Sequence, residues 1–432
     1  MDWRRSWRSI GGLAGFAGLL LSLLLSRPAG AQQGRLNVRL EGEAGARDDG
    51  NYGQQQEPAL RNDQTLGRAG FNLQLSYALQ RLNLALGYSP YYERALDGSG
   101  ISGTTHRLDF GLVGDLSRRS RLNVREQLLS TPDVDLYAPV GTPQTTVVTR
   151  RGNQLSHLLD VSLNQSFSRR TSLVIGATQS LRRYQDPNLS DDQTLGARLG
   201  AGFELVRGGQ IEADLGVSRY DYKERGSSDV RTLGVAWGAD LGRDNHLRLE
   251  GGGYSVDSRL RRLDGPATLE RQSDTGWRGG IQFARDQRLF HWSLGANHDI
   301  SPGAGLGRAV TADSAFLGLS TAVGRSWTFG LDGNASRQRD LPGQEDASVS
   351  RPSNSLTEFA AGTARVGWSF APSFRLEGGY SRIWQRSRVE TLANLSYARY
   401  YVNLAFRIYD SGETPVRPED VGRPIDEKPD AQ

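Results

Sequence analysis

The stretch Phe71-Asn72-Leu73-Gln74-Leu75-Ser76-Tyr77-Ala78-Leu79-Gln80-Arg81-Leu82-Asn83-Leu84-Ala85-Leu86-Gly87-Tyr88 decides the fold. In an extended chain successive side chains point to opposite faces. Phe71, Leu73, Leu75, Tyr77 and Leu79 therefore share one face, and Leu82, Leu84, Leu86 and Tyr88 share the next. The parity resets across Gln80-Arg81, as a tight hairpin requires. Two antiparallel strands with one apolar side are the smallest unit this pattern specifies.

The unit recurs in both directions along the chain. Leu36, Val38 and Leu40 precede it. Leu108, Phe110, Leu112 and Leu116 are followed by Leu122, Val124 and Leu128, and Leu159, Val161, Leu163 and Phe167 by Leu173, Ile175, Ala177 and Leu181. The alternation continues to Tyr400, Val402, Leu404, Phe406 and Ile408, giving 18 strands by this reading. Connections alternate between short and long. Gln80-Arg81, Ser117–Ser120 (SRRS) and Ser168–Thr171 (SRRT) are short, whereas 48–70, 92–105, 130–154, 184–193, 259–274, 300–310 and 338–355 are long. An even strand count with this two-beat rhythm predicts an all-β, up-and-down antiparallel transmembrane barrel with short periplasmic turns and long extracellular loops. Lipid cannot satisfy open sheet edges, so a spanning sheet must close.

The opposite parity is polar. It carries Arg39 and Glu41, Arg121 and Arg125, Asp160 and Asn164, Arg198, Glu212 and Asp214, Arg248 and Glu250, Asp332, Arg375 and Glu377, Arg399 and Arg407. Arg or Lys facing lipid at mid-bilayer costs roughly 2–4 kcal/mol each, so these side chains are expected to line a wet interior. They read either as a zone that selects among ions or as cross-strand pairs that brace the wall. Trp237, Trp277, Trp292, Trp327 and Trp368 fall on the lipid parity and read as interfacial girdle residues. Tyr88, Tyr91, Tyr92, Tyr220 and Tyr222, at strand ends, are assigned to the same outer girdle.

The two ends of the chain differ from the repeat. Arg4, Arg5 and Arg8, an apolar run from Ile10 to Leu25, and Ala29-Gly30-Ala31 form a signal peptide over residues 1–31. The barrel then occupies 32–409. Residues 410–432 hold Pro415, Pro418, Pro424 and Pro429 and seven acids against three bases, as expected for a disordered periplasmic tail. The sequence pI of 9.3 suggests an anionic partner. Most of that excess sits in the leader, which carries four Arg and one Asp; the remainder has 48 basic and 47 acidic residues. That balance gives nucleic-acid binding little support. The chain has no Cys, and no cofactor is expected.

Several constellations remain. Arg118, Arg119, Arg169, Arg170, Arg207 and Arg243 lie in short turns and would ring the periplasmic rim. They read as an electropositive entrance for an anionic polymer, or as polar turn residues touching lipid phosphates. Asp48-Asp49, Asp133, Asp135 and Asp191-Asp192 fall in predicted loops, where hard oxygen ligands suit Ca²⁺; solvated loops or lipopolysaccharide bridging would use the same residues. His157 falls on the lipid parity, but no Ser spacing around it marks a nucleophile. An enzyme is not expected.

The hairpin Leu159-Asp160-Val161-Ser162-Leu163-Asn164-Gln165-Ser166-Phe167-Ser168-Arg169-Arg170-Thr171-Ser172-Leu173-Val174-Ile175-Gly176 resembles outer-membrane β-barrel porins found beside exopolysaccharide export systems. In that family strand–S-R-x-[ST]–strand units recur. The resemblance extends over roughly residues 60–409 and is loose, at the level of the hairpin. It implies passage of an exported polysaccharide across a Gram-negative outer membrane, with lipid, lipopolysaccharide and periplasmic export components as partners. A general small-solute diffusion porin and a structural barrel closed by loops 48–70 and 130–154 are the alternatives. One departure stands out: many outer-membrane barrels end on an aromatic residue, whereas here the last strand ends at Phe406 and Tyr409 and a 23-residue tail follows, so the insertion signal is expected to be internal.

Overall fold

The computed structural model describes residues 35–411 apart from 53–61, 97–101, 133–153, 186–188, 207, 262–268, 288, 304–305, 342–356 and 388–393. The expectations for the leader and for residues 412–432 lie outside the described residues. The chain forms β1 (Arg35–Tyr52), β2 (Asn62–Leu79), β3 (Leu82–Ala95), β4 (Ser102–Asp115), β5 (Ser120–Thr131), β6 (Gln154–Ser166), β7 (Thr171–Tyr184), β8 (Asp192–Val206) and β9 (Gly209–Tyr222). It continues through β10 (Gly226–Asp240), β11 (Asn245–Arg261), β12 (Leu269–Asp286), β13 (Phe290–Ser301), β14 (Val310–Val323), β15 (Trp327–Asp340), β16 (Thr357–Ala371), β17 (Phe374–Ser387) and β18 (Leu395–Asp410).

Every strand pairs antiparallel with its sequence neighbours, and β1 also pairs with β18 through Gly42↔Phe406 and Ala46↔Val402. The sheet is therefore a closed barrel of 18 strands. Closure satisfies the backbone of both terminal strands, which an open sheet would leave bare. Eight connections of two to four residues lie at one end and nine of three to 22 residues at the other. Single-chain barrels of this plan belong to bacterial outer membranes, with the short turns in the periplasm.

The strands run further than their apolar stretches. The predicted loop 48–70 is mostly strand, since β1 extends to Tyr52 and β2 begins at Asn62. Within the apolar band the outer face is bare aliphatic surface: Leu215 is 53% exposed, Leu233 58%, Ile281 46% and Leu331 44%. A band of that kind around a closed barrel is a lipid contact. Aromatic rings bound it on the turn side, where Trp327 stacks on Trp368 at 5.6 Å, Trp368 meets Phe370 in a tilted pair at 5.3 Å and Phe370 stacks on Phe374 at 5.7 Å. Trp237 and Trp292 lie at the same end of their strands. Trp277, on the loop side, stacks on His298 at 4.1 Å.

Above the band the polarity inverts. On β9–β12 the outward positions become Arg219, Asp221, Asp229, Arg231, Asp257, Arg259 and Arg271, and the inward ones Tyr220, Tyr222, Val230, Tyr254 and Val256. The cause is the medium. Beyond the lipid the outer face meets water, while the inner face meets other protein. Tyr220 and Tyr222 are thus buried inside rather than placed in the outer girdle. Tyr91 also points inward, with the Arg68 guanidinium 3.7 Å from its ring centre.

Candidate functional site

The inner wall carries the polar parity. Arg39, Glu41, Arg121, Arg125, Asp160, Asn164, Arg198, Glu212, Asp214, Arg248, Glu250, Asp332, Arg375, Glu377, Arg399 and Arg407 all stand on the face opposite the exposed aliphatic band. Several of them reach across an intervening strand, a span open only to side chains on the concave side. Arg248 Nη2 on β11 lies 2.8 Å from Glu212 on β9, over the buried Ala236 of β10. Arg278 on β12 bridges Asp214 on β9 at 3.2 Å and Asp299 on β13 at 3.5 Å. Arg198 on β8 passes over β7 to Asp160 on β6 at 3.5 Å. It can do so because position 176 is glycine; a Cβ there would overlap the Arg198 side chain.

Both signs are present and largely paired. Arg365–Asp332 at 3.2 Å and Arg375–Glu377 at 3.0 Å continue the pattern. Half-exposed pairs like these contribute about 0–1 kcal/mol each. Their main effect is electrostatic: neighbouring opposite charges cancel over distances longer than the pair, leaving a hydrated wall without a strong single-sign field.

At the turn-side mouth the wall of β8–β12 forms a recess of about 500 Å³, lined in part by Glu204, Gln210, Asp240, His246, Arg248 and Gln282. His246 Nδ1 and Asp240 Oδ1 are 2.6 Å apart, and His291 pairs in the same way with Asp286. Neither His pair was evident from sequence spacing, because each spans a turn. The turn arginines Arg118, Arg119, Arg169, Arg170 and Arg243 are exposed. Arg119 Nη1 donates to the Phe167 carbonyl at 3.4 Å, which ties two adjacent turns together. Arg207 lies outside the described residues.

The loop-side mouth is narrowed. Tyr220, Tyr222, Val230, Tyr254 and Val256 on the inner face of β9–β11 pack with Ala309 and Leu341, and Leu260 and Ile300 flank the cluster. Ala309 and Leu341 belong to the ends of β14 and β15, several strands away around the wall, so this packing brings those ends inward. The pairing of β12 with β13 shows how. It runs only from Gly279↔His298 to Asp286↔His291, whereas β12 pairs with β11 up to Arg261↔Leu269. Above Gly279 the β13–β15 ends part from β12 and lean over the lumen.

Loops complete the narrowing. Arg225 Nη1, in the β9–β10 turn, donates to the Leu306 carbonyl at 3.4 Å, and Arg308 pairs with Asp340 at 2.9 Å. Gly307, with φ +69°, lies against Arg225 and Ser190; a Cβ there would overlap Arg225. The loops read from sequence as candidate plugs, 48–70 and 130–154, behave differently. The first is mostly strand, and residues 133–153 of the second lie outside the described residues.

A buried charge cluster ties the closing seam. Arg399 on β18 donates to both oxygens of Asp49 on β1, at 2.7 and 3.2 Å. Arg47 lies 3.3 Å from Asp49 and 3.1 Å from Glu93 on β3. All four are buried. Asp49 is therefore an ion-pair partner inside β1, not a loop ligand for Ca²⁺. Breaking a buried pair by removing one charge costs about 3–5 kcal/mol. Asp49→Asn should lower barrel stability by about that much, read as a lower temperature for the shift between folded and unfolded bands on a gel.

Of the other acidic candidates, Asp133 and Asp135 lie outside the described residues, and Asp191 and Asp192 are engaged in local contacts. Asp191 accepts from the Tyr184 amide at 2.9 Å and faces Lys223 at 3.5 Å, while Asp192 lies 3.6 Å from Arg182. Among the described residues no group of three or more His and acidic side chains is placed to hold a metal. His157 lies on the outer wall, with Nε2 3.0 Å from Glu126 Oε1. Its partner is thus a carboxylate on the lipid parity.

No protein-family model matches the chain, and no curated protein matches it. Solved structures similar to it are outer-membrane proteins. Pseudomonas aeruginosa OccK2 (OpdF), crystallised with glucuronate, has a TM-score of 0.41 at 12% identity, over 87% of this chain and 98% of that one. The outer membrane protein opdK from Pseudomonas aeruginosa has a TM-score of 0.42 at 11% identity, over 87% and 98%. Acinetobacter baumannii OccAB4 has a TM-score of 0.42 at 9% identity, over 88% and 99%. Similarity this distant says nothing about cargo.

Proposed function

We propose that the chain is a passive, water-filled pore that admits small polar solutes through the outer membrane. The observation that carries this reading is the inner wall: paired charges of both signs around a closed barrel whose loop-side mouth is narrowed by Leu306, Ala309 and Leu341. Barrels of about 16–18 strands leave an aqueous channel. Mixed, paired charges give weak preference for either ion sign. The resemblance in the sequence pointed to a polysaccharide, and an exported chain would need a mouth wide enough to thread. The packed tyrosines and the crossing segment favour the small-solute alternative.

Reconstitution tests this. In planar bilayers the full chain should give unit conductance steps that scale with salt concentration, with a small reversal potential in a salt gradient. Liposomes carrying it should swell quickly in monosaccharides and more slowly as the sugar lengthens. Absence of conductance would return the barrel to a structural role. Equal swelling with long oligosaccharides would restore the polymer reading.

A further inference from the structure

The β11–β12 hairpin rises above the lipid band, and its outward face changes character as it does. Leu249 and Ile281 lie low, Trp277 marks the aromatic level, and Arg259, Arg261 and Arg271 follow above it. Arg271 lies six residues beyond Trp277 on the same face of β12. At about 3.3 Å per residue that is roughly 20 Å along a tilted strand. That carries the arginines well beyond the aromatic level on the loop side.

The arginines are arranged unfavourably for an empty surface. Arg259 and Arg271 are directly opposite in the register, and Arg261 is the next outward residue on β11. Directly opposed residues have Cβ atoms about 4.5–5.5 Å apart, and like charges there repel. All three side chains are exposed. Among the described residues no carboxylate stands within ion-pair distance of them; Asp257 and Asp229 oppose each other one step nearer the lipid, and Arg219 pairs with Asp221 at 3.0 Å. A dianion seated between two guanidinium groups turns the repulsion into charge-assisted, bidentate hydrogen bonds. Phosphate fits the planar guanidinium fork of arginine.

We infer that Arg259, Arg261 and Arg271 form a phosphate-binding patch for the phosphorylated saccharide of an outer-leaflet glycolipid. The patch fixes the hairpin, and with it the wall behind the narrowed mouth, against the surrounding glycolipid layer. The assignment is independent of what the lumen carries.

The test uses the full chain, purified in detergent and stripped of lipid, then titrated with lipopolysaccharide. The variant R259Q/R261Q/R271Q should bind at least about tenfold more weakly, since it removes the charge-assisted bonds. Its heat-dependent gel shift should match wild type, which shows the barrel is intact. The triple Lys variant should fall between the two. Dephosphorylated lipopolysaccharide should bind wild type no better than intact lipopolysaccharide binds the Gln variant. Equal binding by wild type and the Gln variant, or by intact and dephosphorylated glycolipid, overturns the assignment. If inorganic phosphate alone binds the stripped protein as tightly as the glycolipid does, the glycolipid is the wrong ligand.

Discussion

Arginine at position 215 should destabilise the barrel by about 2–4 kcal/mol, the cost of a guanidinium on the lipid face near the bilayer midplane. Leu215 sits between Leu199 and Leu233 on the outward parity, and all three are among the most exposed aliphatics of the wall. A guanidinium there finds no carboxylate and no water. The contrast is Glu212→Gln, three residues away on the inward parity. It removes one half-exposed pair with Arg248, worth about 0–1 kcal/mol. Folding titrations in lipid should separate the two variants clearly. Equal losses would mean the faces have been exchanged by a one-residue slip. Asp214 is unsuited to this comparison, because it holds Arg278 and an arginine there would oppose that partner.

The second large effect is on permeation. Deleting residues 303–308, with a short Gly-Ser link, should raise the unit conductance while leaving the folded gel band in place. Leu306 and Gly307 meet Arg225 and Ser190, and the adjoining Ala309 packs against the inner tyrosines. A milder variant tests the same packing. Leu341 is 1% exposed, and Leu→Ala at such a site costs about 2–5 kcal/mol. Even the lower figure shifts a docked-to-undocked ratio by a factor of about 30. Leu341→Ala should therefore give larger or flickering conductance steps. An unchanged conductance in both variants would show that the limiting constriction lies elsewhere in the lumen.

Strand tops explain where residue-level reading failed. The alternation at Leu82, Leu84 and Leu86 assigns a face only if the medium on that face is lipid. Above the lipid, as at the top of β9, the rule reverses, so Tyr220 and Tyr222 read as outer girdle residues and yet pack inside. Asp48-Asp49 shows the same limit. Two adjacent acids look like a solvated loop, but β1 continues past them and Asp49 meets Arg399, 350 residues away in sequence. The Arg278 link to Asp214 and Asp299 was equally hidden, since it depends on the curvature that brings three strands to one concave wall.

The sequence by itself determined the closed 18-stranded barrel, its lipid and water faces, and the alternation of short turns with long loops. Those follow from local rules: period-two side chains, tight-turn geometry, and the cost of an unpaired edge in lipid. The tertiary structure decided how the lumen is used. It placed which charge beside which, set the inward lean of β13–β15, and set Arg259 opposite Arg271. These depend on register summed around a closed ring and on where the membrane ends, and neither quantity is encoded within any one hairpin.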